Sequence, residues 1–128
     1  MANERISRIP APAVPGIADS TRVTAGDLVL ISGQVSFESD GSVPTDFARA
    51  VELTFGEVER ALRAAGATYE DLVRVNVYVT DLDQEKLAIY RETRDAIVKV
   101  AGPVASSLIG VHSLYNGATI EIDAVAAV

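Results

Sequence analysis

"LVRVNVYVT", residues 72–80, alternates over its whole length: Val73, Val75, Val77 and Val79 point one way and Arg74, Asn76, Tyr78 and Thr80 the other. A period of two with β-branched residues on one side is the pattern of a half-buried strand. The period changes on either side of it. Upstream, over 47–65, Val51, Phe55, Val58, Leu62 and Ala65 recur at three- and four-residue steps, which predicts a helix with one apolar stripe. Thr45 or Asp46 is placed to cap its start, Gly66 to stop it, and Glu59 and Arg63 lie four apart on its solvated side. Downstream, Leu87, Tyr90, Ile97 and Val100 fall roughly on one stripe and predict a second helix from about 83 to 100, ended by Gly102-Pro103.

Further out the punctuation predicts turns. "RVTAGDLVLISGQVS" (22–36) reads as a hairpin: a short strand, a turn at Gly26-Asp27, and an apolar strand over 28–31 that runs into Ser32-Gly33-Gln34. Near the other end a strand over about 106–114, an Asn116-Gly117 turn and a strand from 119 onward read as a second hairpin. In the last strand Ile120, Ile122, Ala124 and Ala126 alternate with Glu121, Asp123, Val125 and Ala127, so one face is apolar and the other carries two acids. Residues 1–16, broken by Pro10, Pro12 and Pro15, read as an extended N-terminal arm.

The order strand, strand, helix, strand, helix, strand, strand predicts an α+β chain with a mixed sheet and both helices on one face, in a single domain over 1–128. The other sheet face holds Asn76, Tyr78 and Asp123 beside small apolar residues. That mixture is too polar for a core and too apolar to be left wet, so a subunit interface is expected there.

Composition narrows the function. The chain has 128 residues, 48% of them hydrophobic and 23% charged, enough apolar material for a core. A formal net charge of -7 opposes nucleic-acid binding, which needs clustered Lys and Arg to displace counterions. There is no cysteine, hence no disulfide and no thiolate chemistry. No segment has the apolar run of a signal peptide or a membrane span, so no membrane partner and a cytoplasmic location are expected. His112 is the single histidine, so with no cysteine a zinc site would need three carboxylates or waters, which is unusual for that metal, and no metal is expected. Ser106-Ser107 lacks the Gly-x-Ser-x-Gly elbow of a hydrolase nucleophile, and Ser32-Gly33-Gln34 lacks phosphate-loop spacing. Asp81, Asp83, Asp71 and Glu70 read as turn and cap residues. Residue chemistry alone stops at an α+β protein that self-associates.

Three blocks carry a resemblance further: "LVLISGQVS", "LTFGEVERALRAAGATYEDLVRVNVYVTDL" and "ATIEIDAVAAV", in that order and together spanning most of 27–128. They resemble the hallmark blocks of the RidA/YjgF family, also called L-PSP endoribonuclease-like. The resemblance implies a chorismate-mutase-like fold, a homotrimer with a central β-barrel, and small-molecule pockets between subunits. It implies hydrolysis of reactive imines and enamines without cofactor or metal, an arginine gripping the substrate carboxylate, and a last-strand glutamate holding the attacking water. The family's Pro-Ala-Arg-Ser pattern aligns with "VASS" here, which puts Val104 at the proline and Ser106 at the arginine. Asp123 falls at the glutamate, one methylene shorter, and the N-terminal tyrosine motif has no counterpart in "PGIADSTRV". The implied site is therefore Asp123 as the catalytic residue, with Ser32, Gly33, Ser106 and Ser107 binding the substrate. Serine cannot supply the charge and fork of an arginine. The expectation is a divergent imine or enamine hydrolase that is not a standard 2-iminopropanoate deaminase, with Arg74, Arg91 or Arg94 as candidates for a displaced cation. The alternatives are a non-catalytic metabolite binder and, against the charge, an endoribonuclease.

Overall fold

A computed structural model describes residues 2–128. Six strands form one sheet: β1 (Ile6–Pro10), β2 (Ile17–Val23), β3 (Leu28–Gln34), β4 (Leu72–Thr80), β5 (Val104–Val111) and β6 (Ile120–Ala127), in the order β1-β2-β5-β4-β6-β3. Two helices, α1 (Phe47–Ala64) and α2 (Gln84–Ile97), complete the mixed α+β architecture. The alternating run at 72–80 is the central strand. It pairs parallel to β5 and antiparallel to β6. A register shift between Leu72 and Arg74 gives Leu72 the core face in place of Val73, and from Val75 onward the expected alternation holds.

The apolar stripe of α1 is buried through Ala50, Val51, Phe55, Val58 and Leu62. It packs on Val75, Val77 and Val79 of β4 and on Ile120, Ile122 and Ala124 of β6. Asp46 occupies the N-cap position, yet its side chain makes no capping hydrogen bond; its carbonyl accepts from the Ala50 N–H at 3.0 Å. Asp83 does cap α2, its carboxylate accepting from the Lys86 N–H at 2.8 Å. The second helix ends at Ile97, three residues before the expected stop, and 98–103 runs as a loop into β5.

Neither expected hairpin forms. Asn116 and Gly117 both take positive φ, 49° and 75°, as their chemistry predicts. The strands they join are nevertheless separated by β4, which pairs with both. A turn signal is local, and it does not specify which strand edge satisfies the backbone groups that follow. At the other end Asp27 exchanges backbone hydrogen bonds with Val128, at 2.8 and 3.0 Å, so β3 is drawn onto β6 and away from β2. The segment expected as an arm is extended, but over Ile6–Pro10 it is a sheet strand paired antiparallel to β2. This ribbon joins the sheet where Ile17 and Ala18 pair with Val104 and Ala105, and the Thr21 hydroxyl donates to the Val73 carbonyl at 2.7 Å.

Candidate functional site

The side chains singled out from the sequence lie in two places, on opposite sides of the sheet. Strand register decides which. Ser107 stands opposite Asn76, and Asn76 opposite Asp123, so these three form a row across β5, β4 and β6 on the face away from the helices. Ser106 stands opposite Val75 and faces the helices. Adjacent serines on a strand must part in this way.

On the open face the Asp123 carboxylate is held at both oxygens. Asn76 Nδ2 donates to Oδ1 at 2.9 Å and the Tyr78 hydroxyl donates to Oδ2 at 3.0 Å. Both donors are neutral, and among the described residues no cation is paired with the carboxylate. The hydrogen bond to Asp123 raises the Tyr78 pKa above its ordinary value, because ionising the phenol would set two anions together. Arg74 Nη2 donates to Ser107 Oγ at 2.8 Å, which engages this guanidinium on the open face, away from Ser106.

Glu121 belongs to the same place. It is opposite Tyr78 in the register and packs against Gly33, where a Cβ would collide with its carboxylate. The β3–β6 register shifts between Ile31 and Gln34, so Ser32-Gly33 forms an exposed irregularity beside this acid. Among the described residues no ion pair and no side-chain hydrogen bond engages the Glu121 carboxylate. The strand pattern placed both acids on one face; the carry-over to a single glutamate position left Glu121 out. Ser32 and Gly33 thus lie near Glu121, and Ser107 lies with Asp123. The exposed His112 follows β5, and no cluster of His, Cys, Asp or Glu among the described residues is arranged to hold a metal ion.

On the helix side Ser106 lines a cavity of about 480 Å³ walled by the β1–β2 turn, the loop 98–103 and Phe55. A smaller cavity of about 130 Å³ adjoins it, shared by Ser106, Leu108, Tyr90, Arg91 and Arg94. Of the three candidate cations, Arg91 and Arg94 therefore stand with Ser106.

This fold has counterparts in known proteins. Residues 14–128 match the family model described as Endoribonuclease L-PSP. The chain belongs to the RidA/YjgF family. The solved structure of the conserved Rid-family protein YyfB from Yersinia pestis superposes on this RidA/YjgF chain with a TM-score of 0.86 at 28% identity, covering 97% of this chain and 99% of that one. A 2-iminobutanoate/2-iminopropanoate deaminase of Escherichia coli is 30% identical over 107 residues, 81% of this chain and 82% of that protein. The RutC family protein YjgH of Escherichia coli is 36% identical over 66 residues, a match spanning 52% of this chain and half the length of that relative. No helix among the described residues is long and apolar enough to cross a membrane.

Proposed function

We propose that this chain hydrolyses a small imine or enamine, without metal or cofactor, in clefts formed where copies of it meet as a trimer around a barrel of sheets. The observation that carries the reading is the carboxylate pair on the open face. Asp123 is fixed by two neutral donors, while Glu121 stands beside the Ser32-Gly33 bulge with its lone pairs uncommitted. A carboxylate in that state can hold a water and take its proton. The water oxygen adds to the imine carbon, the proton passes through Glu121 to the nitrogen, and the tetrahedral adduct collapses to a carbonyl compound and ammonia. An enamine enters the same path after protonation at carbon. Asp123 then acts as the anchored second acid that sets Tyr78 and Asn76 along the wall, and the Ser107 hydroxyl extends the row. A deaminase among the relatives supports this class of reaction.

Assembly is proposed because Leu28, Leu30 and Ile109 are exposed large apolar residues on the face that carries the row; Leu30 is 75% exposed. Within one chain Ser106 is separated from Asp123 and Glu121 by the sheet itself, so a site using all of them needs a neighbouring copy. The bonded state of Asp123 favours a second reading, in which the cleft binds a metabolite without turnover. Ribonuclease action is not proposed, since a net charge of -7 repels the polyanion.

The test is to generate a panel of imines in situ with an amino-acid oxidase and follow their decay. The wild-type chain should accelerate at least one member. Glu121→Gln should lose about a hundredfold or more, as expected for removal of a general base, and Asp123→Asn should lose less. Decay at the buffer rate for the whole panel would leave the binding reading. A Glu121→Gln protein as fast as wild type would overturn the assignment of the base.

A further inference from the structure

Three asparagines occur in the chain, and their surroundings differ. Asn3 is half-buried, and its Nδ2 donates to Asp71 Oδ1 at 2.8 Å and to the Ala127 carbonyl at 2.9 Å. Asn76 is half-buried in the middle of β4, its Nδ2 donating to Asp123 Oδ1. Asn116 is exposed, and among the described residues no hydrogen bond engages its side-chain amide. It is also the only one of the three with glycine next in the chain; Glu4 and Val77 follow the others.

The backbone at this turn is lightly held. Asn116 lies in the left-handed region at φ 49° and ψ 36°, and Gly117 follows at φ 75°. The Gly117 N–H donates to the Leu114 carbonyl at 3.3 Å, long for such a bond. A Cβ placed on Gly117 would meet only Val43 Cγ2, at 3.8 Å, so neither side chain nor backbone covers its peptide nitrogen. Rotation about ψ of Asn116 is opposed by that long bond and by the Ala118 N–H on the Tyr115 carbonyl at 3.0 Å. Exposed backbone bonds with few contacts around them mark a segment that opens at low cost while the rest of the fold stays closed.

We infer that Asn116-Gly117 is a site of intrachain deamidation, where the folded chain converts Asn116 to aspartate and isoaspartate without an enzyme. Rotation about ψ carries the Gly117 nitrogen to Asn116 Cγ. The nitrogen loses its proton to solvent and bonds to Cγ, the Cγ–Nδ2 bond breaks, and Nδ2 leaves with a proton as ammonia. Water then opens the cyclic succinimide that remains. Cleavage of the new bond from nitrogen to Cγ gives aspartate; cleavage of the original bond from nitrogen to the Asn116 carbonyl carbon gives isoaspartate. The net change is water in, ammonia out and one negative charge gained.

The two products act differently on the fold. Aspartate keeps the backbone intact and, like asparagine, visits the left-handed region readily. Isoaspartate routes the chain through the side-chain carbon and adds one methylene ahead of Ala118 and Thr119. Both are fixed: Ala118 is 3% exposed, and the Thr119 carbonyl accepts from the Thr80 N–H at 3.1 Å. The added methylene therefore disrupts the start of β6, just ahead of Glu121. The modification goes beyond the proposed hydrolysis and needs no part of it to be correct.

The test is to age the full chain at neutral pH and physiological temperature beside a synthetic peptide of residues 113–119, with no imine present, and to map both by mass spectrometry. Asn116 should gain about one dalton at a rate within about a hundredfold of the peptide's, the difference reporting the opening of the turn, while Asn3 and Asn76 stay intact. An isoaspartate-specific carboxyl methyltransferase should label the aged chain and leave both the fresh chain and aged Asn116→Gln unlabelled. Asn116→Asp should melt as the wild type does, and the aged chain should melt lower in proportion to its isoaspartate content. An Asn116 that stays intact while the peptide converts, or equal conversion at Asn3 or Asn76, would overturn the inference. Undiminished methyl labelling of aged Asn116→Gln would do the same, and an isoaspartate-rich chain that melts like the wild type would overturn the effect assigned to β6. Failure to hydrolyse any imine would count against the proposed function alone.

Discussion

The Tyr78 hydroxyl ends on Asp123, and that contact ties the acidity of the phenol to the carboxylate. Two other tyrosines share its reluctance to ionise for a different reason. Burial holds Tyr90 up at about 12 and pushes Tyr69 higher still. A tyrosine whose folded pKa lies above its unfolded value stabilises the fold fully below pH 10, and that contribution is lost as pH rises toward the folded value. Phenolate absorbance should therefore show Tyr69, Tyr78 and Tyr90 protonated past pH 10, with ionisation of the buried Tyr90 and unfolding arriving together near pH 12. Complete ionisation at the midpoint of free tyrosine, with the fold intact, would contradict this. The residue scale is also where sequence reading lost the most. Ser106 and Ser107 were paired by adjacency, although alternation along β5 sends them to opposite faces. The enclosure of Arg94 by Gly16 joins chain segments more than seventy positions apart, and no local pattern encodes it.

At the scale of elements, those whose signal is periodic were legible. The alternating 72–80 run and the stripe of α1 fall where periodicity puts them, because the same burial that creates the pattern also fixes the element. Phe55 joins these elements to the cavity: it is 1% exposed, its ring meets Tyr69 edge-on at 6.4 Å and Tyr90 in a stack at 6.2 Å, and its carbonyl accepts from the Tyr69 hydroxyl at 2.8 Å. Phe55→Ala should cost about 3–5 kcal/mol of stability in denaturant unfolding, and a loss below about 1 kcal/mol would show that this packing is not the core it is taken for. Elements defined by pairing were misread. Both expected hairpins joined strands consecutive in sequence, whereas the sheet places β4 between β5 and β6 and carries β3 to the far edge from β2. Pairing partners are chosen by surfaces distant in the chain, here the two edges of β4 and the exchange between Asp27 and Val128.

For the whole molecule the sheet works as a partition. One side buries the helices and encloses the cavity beside Arg94; the other presents Asp123 and Glu121 among exposed apolar residues. That second side was legible from the sequence as a face too mixed to be core or surface, and neither helix of the chain packs on it. The proposed chemistry depends on copies of the chain meeting there, because only another copy can bring the contents of the two sides to one cleft. Sedimentation equilibrium of the full chain at micromolar concentration tests this most directly. The account predicts a single species with three times the 13.5 kDa mass of the chain, and a stable species of one chain's mass would contradict it.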